Sequence, residues 1–125
     1  MISHFNIGTN NIEAAEAFYS ELLKLVNGAL LFKNERMLFF GFGEQSAKLA
    51  VNLPHDGQPA TVGNGCMVAL AGTGREHVDA VYAKAIELGG TCEGAPGERL
   101  GGAVYGAYFR DLDGNKFTVM FVPGR

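Results

Sequence analysis

The sequence predicts an α+β fold of two βαβββ modules whose sheets form a shared concave mixed β-sheet cup with helices outside. Three observations predict it: an opening strand and amphipathic helix that occur twice, three short strand-like segments after each helix, and closing strands that align between the halves. A chain of 125 residues supports one sizeable core rather than two independent domains, so the duplication lies inside a single fold. Residues 1–125 therefore read as a single domain, with module 1 over about 1–54, a linker at 55–65 and module 2 over about 66–125.

In module 1, His4 to Thr9 (HFNIGT) is the first strand, and Asn10 with Glu13 three residues on forms a variant of the capping box that starts a helix. Ile12, Ala15, Phe18, Tyr19, Leu22, Leu23 and Val26 recur on one helical face, and Asn27-Gly28 stops the run. Ala29 to Lys33, Met37 to Phe42 and Lys48 to Leu53 follow as strands, separated by turn residues at Asn34-Glu35 and Gly43 to Ser46. In the second of these, alternation puts Phe40 and Phe42 on one face and Phe39 on the other, so at least one phenylalanine walls the cup.

Pro54 to Gly65 has two prolines, three glycines and no periodicity, which makes it the linker. Module 2 repeats the order. Cys66 to Ala71 reads as a strand, Thr73 and Glu76 as a second capping box, and Val78, Val81, Tyr82, Ala85 and Leu88 as one helical face ending at Gly89-Gly90. Thr91 to Glu93, Val104 to Arg110 and Lys116 to Val122 supply the remaining strands, the last two joined by the hairpin turn Asp111 to Asn115. Gly94 to Gly102 (GAPGERLGG) reads as a mobile, lid-like segment between strands. The pair Phe18-Tyr19 stands 63 residues before Val81-Tyr82, and AKLAVNLP (47–54) aligns with NKFTVMFV (115–122).

Composition excludes several classes of function. Ten basic and 13 acidic residues give a net charge of -3 without a basic stripe, which argues against nucleic acid or an anionic membrane as partner. No apolar run approaches the length needed to span a bilayer, and the N-terminus has no signal-peptide pattern, so the expected setting is cytoplasmic. Cys66 and Cys92 form neither a CxxC motif nor a disulfide framework and read as small buried hydrophobes. The Asp111 to Asn115 stretch lacks the acidic residue that a calcium loop requires at its twelfth position, which is Val122, and is a turn.

The opening HFNIGTNNIEAAEAFY and the close YGAYFRDLDGNKFTVMF together resemble the glyoxalase/bleomycin-resistance/extradiol dioxygenase (vicinal oxygen chelate) superfamily over essentially the whole chain. Members of that superfamily include lyases, ring-cleaving dioxygenases, epimerases and drug-sequestering proteins on one scaffold. Metal-dependent members take one ligand from the first and one from the last strand of each module. On that resemblance His4, fifteen residues before Tyr19, holds the first ligand position, Cys66 the equivalent position in module 2, and Ala50 and Thr118 the two glutamate positions.

A catalytic metal needs about three suitable protein ligands, and His4 with a Cys66 thiolate supplies two at most. The expectation is therefore a protein that binds a small, partly apolar molecule in the cup without the family's full metal site and without a cofactor. The ligand pocket is assigned to His4, Asn6, Cys66, Tyr105 and Thr118. The alternative is a lactoylglutathione-lyase-like or dioxygenase-like enzyme, with His4 as catalytic residue for proton transfer or as the ligand of a divalent metal. The resemblance further implies a homodimer.

Overall fold

Apolar side chains at helical spacing need an apolar sheet face to cover, and each half of the chain supplies one of each. The computed structural model describes residues 1–44 and 46–124. Gln45, inside the turn expected over 43–46, and Arg125, the last residue of module 2, lie outside the described residues. The chain divides into two compact units, Met1–Val62 and Gly63–Arg125, with the division inside the proline- and glycine-rich stretch.

The first unit contains β1 (His4–Gly8), α1 (Ile12–Leu22), a 3₁₀ turn (Leu23–Val26), β2 (Ala29–Lys33), β3 (Met37–Gly41) and β4 (Lys48–Asn52). Its strands lie in the order β1-β4-β3-β2, with β1 and β4 parallel and the other pairs antiparallel. The second unit runs β5 (Val68–Ala71), α2 (Arg75–Glu87), β6 (Thr91–Arg99), a short 3₁₀ turn, β7 (Val104–Arg110) and β8 (Lys116–Phe121). Its order, β5-β8-β7-β6, is the same topology with the same single parallel pair. Two four-stranded mixed sheets, each carrying one helix, make an α+β fold of two βαβββ units.

In the first unit Phe18, Tyr19 and Leu22 of α1 bury against Leu38 and Phe40 of β3 and Leu49 and Val51 of β4, all at 1% exposure or less. Tyr19 meets Phe40 at 6.1 Å between ring centres. Alternation sends the neighbours of these residues, His4 and Asn6, Phe39, and Lys48 and Ala50, to the opposite face. In the second unit Val78, Val81 and Ala85 of α2 cover Ala107 and Phe109 of β7 and Phe117 and Val119 of β8, with Phe109 and Phe117 stacked at 5.5 Å.

The helix starts differ from expectation by one residue. Asn11, not Asn10, caps α1, its side-chain oxygen accepting from the Ala14 amide at 3.0 Å. Asn10 instead pins the following loop, accepting from the Ala60 amide at 2.7 Å. Gly74, not Thr73, caps α2, and the His77 ring accepts from the Thr73 amide at 3.0 Å, so an imidazole does what the expected Thr-x-x-Glu pair does not. Asn27 ends the 3₁₀ turn with φ 64°, and a Cβ on Gly28 would fall 2.6 Å from that of Leu23, which is why the stop needs glycine there.

The stretch expected to be mobile is a strand. β6 continues to Arg99 through two register shifts, between Cys92 and Gly94 and between Gly94 and Gly97, so the extra residues are taken up as bulges and not as a lid. The turn Asp111 to Asn115 is held by the Asp111 carboxylate, which accepts from the amides of Asp113 (2.9 Å) and Asn115 (2.8 Å) and from the Asn115 side chain (2.9 Å).

Phe40 bears on both α1 and the sheet, so Phe40→Ala should cost about 3–5 kcal/mol of stability through lost burial and a residual cavity. Urea unfolding followed by far-ultraviolet circular dichroism measures it, and a loss below about 1 kcal/mol would contradict the packing described.

Candidate functional site

Each sheet has one face covered by its helix, so side chains available to a ligand are those that alternation turns the other way. On the helix-free face of the first unit, β1 presents His4 and Asn6, both exposed. The His4 ring meets Phe39 of β3 edge-on at 5.2 Å, and Ser3 Oγ lies 3.1 Å from His4 Nδ1. Lys48 stands directly beside His4 in the parallel register, and Ala50 beside Asn6. Phe32, paired with Phe39, is exposed, as is Leu31 at the neighbouring bulge. Oδ1 of Asn52, two residues beyond Ala50, is buried and finds no hydrogen-bond partner among the described residues. This face thus offers an imidazole, the Asn6 amide and an ammonium beside an aromatic wall.

In the second unit the same alternation selects Thr118, Lys116 and Met120 of β8, Gly106, Tyr108 and Arg110 of β7, and Arg99 of β6. Thr118 is fully buried, and its hydroxyl donates to the Ala107 carbonyl at 2.9 Å. Tyr108 carries two cations, the Arg99 guanidinium at 5.6 Å and the Lys116 ammonium at 5.3 Å from its ring centre. Arg110 is paired with Glu93 at 2.8 Å.

Two residues assigned to the pocket are elsewhere. Tyr105 lies three residues from Tyr108 and so on the other face, where its hydroxyl donates to Asp79 of α2 at 2.7 Å and Arg75 sits 4.9 Å from its ring centre. Cys66 precedes the strand it was expected to begin, because β5 starts at Val68. The paired registers of β1 with β4 and of β5 with β8 match Met67, not Cys66, to His4. Both cysteines are free and exposed, which corrects their reading as buried hydrophobes. Tyr108, Arg99 and Lys116 were missed, although the hairpin that pairs Arg110 with Lys116 already pairs Tyr108 with Thr118.

The residues present do not compose a three-ligand metal set of the kind the superfamily's metal-dependent members use. In the first unit the closing-strand position is Ala50, and the nearest charged neighbour of His4 in the register is the Lys48 ammonium, which repels a cation. In the second unit the corresponding positions are Met67 and Thr118. No group of three or more His, Cys, Asp or Glu among the described residues is placed to hold a metal ion. An open cleft of 510 Å³ along the β5 edge, lined by Ala69 to Thr73 and Met120 to Val122, has no charged side chain. No described helix is long and apolar enough to cross a membrane.

The bond from Tyr105 to Asp79 raises the tyrosine's pKa above its ordinary value, against the opposing charges of Arg75 and Arg99. A raised tyrosine pKa favours the folded state below the ordinary value near 10, and that contribution is lost as pH rises through the raised value. Asp79→Asn should move the Tyr105 titration down toward ordinary tyrosine. Tyrosinate absorbance of Asp79→Asn, with Tyr105→Phe as the assignment control, checks it; an unchanged titration would mean that the carboxylate is not the cause.

The family model of the Glyoxalase/Bleomycin resistance protein/Dioxygenase superfamily matches residues 1–119. The chain is similar to the crystal structure of a glyoxalase/bleomycin resistance protein from Albidiferax ferrireducens, at 36% identity, TM-score 0.87, and coverage of 98% of this chain and 99% of that one. A glyoxalase-related enzyme from Fulvimarina pelagi (21% identity, TM-score 0.81, covering 98% and 88%) and a lactoylglutathione lyase from Agrobacterium tumefaciens (21%, 0.72, covering 97% and 92%) share the fold. No curated protein sequence matches the chain. The chain belongs to the Glyoxalase/Bleomycin resistance protein/Dioxygenase superfamily.

Proposed function

We propose that the protein binds a small, partly apolar molecule on the helix-free faces of its sheets, without a protein-bound metal. The observation that carries this reading is the His4–Phe39 edge: an exposed imidazole at 5.2 Å from an aromatic ring, beside exposed Phe32 and Leu31. Apolar side chains grouped on an exposed sheet face are a binding feature more often than an accident, and the polar groups among them set orientation.

The donor set supports metal independence. His4 is paired in register with Lys48, and Ala50 has no side-chain donor, so the chelating chemistry of metal-dependent relatives has no counterpart in the first unit. A base that abstracts a substrate proton in the manner of a ligand carboxylate is also missing from position 50, which favours capture over turnover. We further propose a homodimer, supported by β1 and β5, each of which lies at the edge of its own sheet.

Ligand-observed nuclear magnetic resonance with a set of small aromatic acids, amides and alcohols should find binders, and His4→Ala should weaken them by roughly tenfold. Elemental analysis and a methylglyoxal–glutathione lyase assay, with and without divalent metal, should show neither stoichiometric metal nor turnover. Stoichiometric metal together with turnover would establish the lyase-like enzyme instead, and binding indifferent to His4→Ala would move the site elsewhere. Sedimentation equilibrium decides the dimer.

A further inference from the structure

We propose that the helix-free face of the second unit is a carboxylate-recognition subsite, with Arg99 and Lys116 as its two donors and Tyr108 as the platform that holds them. The proposal rests on the small-molecule reading above and specifies its ligand: a small organic acid with an apolar body.

The local sequence builds the subsite. Tyr108 lies on β7, between β8, which supplies Lys116, and β6, which supplies Arg99. Each cation is within 5.6 Å of the ring centre, attracted by the negative face of the aromatic system. Neither has a carboxylate partner among the described residues. The Arg99 guanidinium instead donates to backbone carbonyls, that of Ala95 at 2.7 Å and that of Glu98 at 3.2 Å.

The glycines of β6 explain how the guanidinium is held. A Cβ on Gly97 would fall 3.0 Å from one terminal nitrogen of Arg99, and one on Gly94 would fall 3.2 Å from the other. With no side chain at either position the guanidinium has room along its own strand toward Tyr108, whereas a Cβ at either one would displace it by a few tenths of an ångström. Gly94 is the residue paired with Tyr108, and Gly97 is paired with Gly106, so neither β6 position competes with the guanidinium for the space beside the ring. The bulges that accommodate the glycine-rich stretch turn the Ala95 carbonyl onto the guanidinium.

Charge on this face is unbalanced. Arg110, opposite Lys116 in the register, is already paired with Glu93, so the uncompensated positive charge is that of Arg99 and Lys116. Two cations held at one ring in a protein of net charge -3 create a local positive potential against the overall sign. A planar guanidinium and a compact ammonium suit an oxyanion, which either one contacts with a charge-assisted hydrogen bond.

Titration of the full ¹⁵N-labelled chain with benzoate, and with benzamide as its uncharged counterpart, at matched ionic strength, tests the proposal. Benzoate should shift the amides of β6 and β7 around Tyr108 saturably and bind at least roughly tenfold tighter than benzamide. Lys116→Gln and Arg99→Gln should each reduce that advantage severalfold, weakening benzoate more than benzamide. Gly97→Ala retains both charges, places no strain on the backbone and moves only the flexible end of Arg99. It should weaken benzoate in the same direction, so the proposal does not depend on the charge variants folding.

A saturable benzamide response with no gain for benzoate would overturn the carboxylate subsite and leave the small-molecule reading standing. Equal benzoate affinity in wild type, Lys116→Gln and Arg99→Gln would overturn it as well, as would shifts reproduced by sodium chloride alone. Absence of any saturable response to both probes would also overturn the subsite, while the wider compound set and the His4→Ala comparison judge the parent reading separately.

Discussion

One helix lying on one face of a four-stranded sheet is the constraint from which the rest of each unit follows. Because side chains alternate along a strand, the choice of which residues bury under the helix also fixes which ones do not. Phe40, Leu49 and Val51 go under α1, so Phe39, Lys48 and Ala50 cannot. The same rule applied to β7 buries Phe109 and Ala107 and leaves Tyr108 and Arg110 on the other side. Core and candidate site are therefore two readings of a single parity.

That parity explains how much was legible in the sequence. The strand and helix pattern and the duplication came from local signals, namely hydrophobic spacing, turn residues and a repeated phrase, whereas His4 was singled out by the resemblance to the superfamily. Face assignments need a register, and in the first unit the run of phenylalanines supplied one, so a phenylalanine on the helix-free face followed directly. In the second unit Tyr105 attracted attention for standing beside a glycine-rich stretch. The Asp111 to Asn115 turn, which pairs Arg110 with Lys116, would have put Tyr105 opposite Phe121 and Tyr108 opposite Thr118. The Cys66 assignment failed for a related reason, since it lies one residue from Met67, the position that the registers match to His4, and two before the start of β5.

What could not be read locally was the behaviour of backbone under bulges. Gly94 to Arg99 has the composition of a loop, because glycine and proline weaken a strand when considered alone. Pairing with β7 overrides composition: two register shifts absorb the surplus residues, and the pairing resumes at Gly97. The caps show the same limit on a smaller scale. Asn10 and Asn11 are equally good capping residues, and only the demand of the Ala60 amide for a partner leaves the helix to Asn11.

The two units have kept their scaffold while their helix-free faces have moved apart chemically. The first places a single imidazole against an aromatic ring and has Ala50 on its closing strand. The second places two cations on a tyrosine and has Thr118, its hydroxyl donating to the Ala107 carbonyl of β7, at the matching site. Nothing in the fold requires Arg99 to be arginine or its neighbours at 94 and 97 to be glycine, since β6 is an edge strand that a shorter segment would complete, as the five-residue β2 does in the first unit. A glycine in a strand costs about 0.5–1 kcal/mol relative to alanine. Glycine at both positions thus costs stability, and it leaves room for the guanidinium at 97 and for both the guanidinium and the Tyr108 ring at 94. That cost falls on the face that the helix leaves open, where the proposed carboxylate subsite lies, and not in the core.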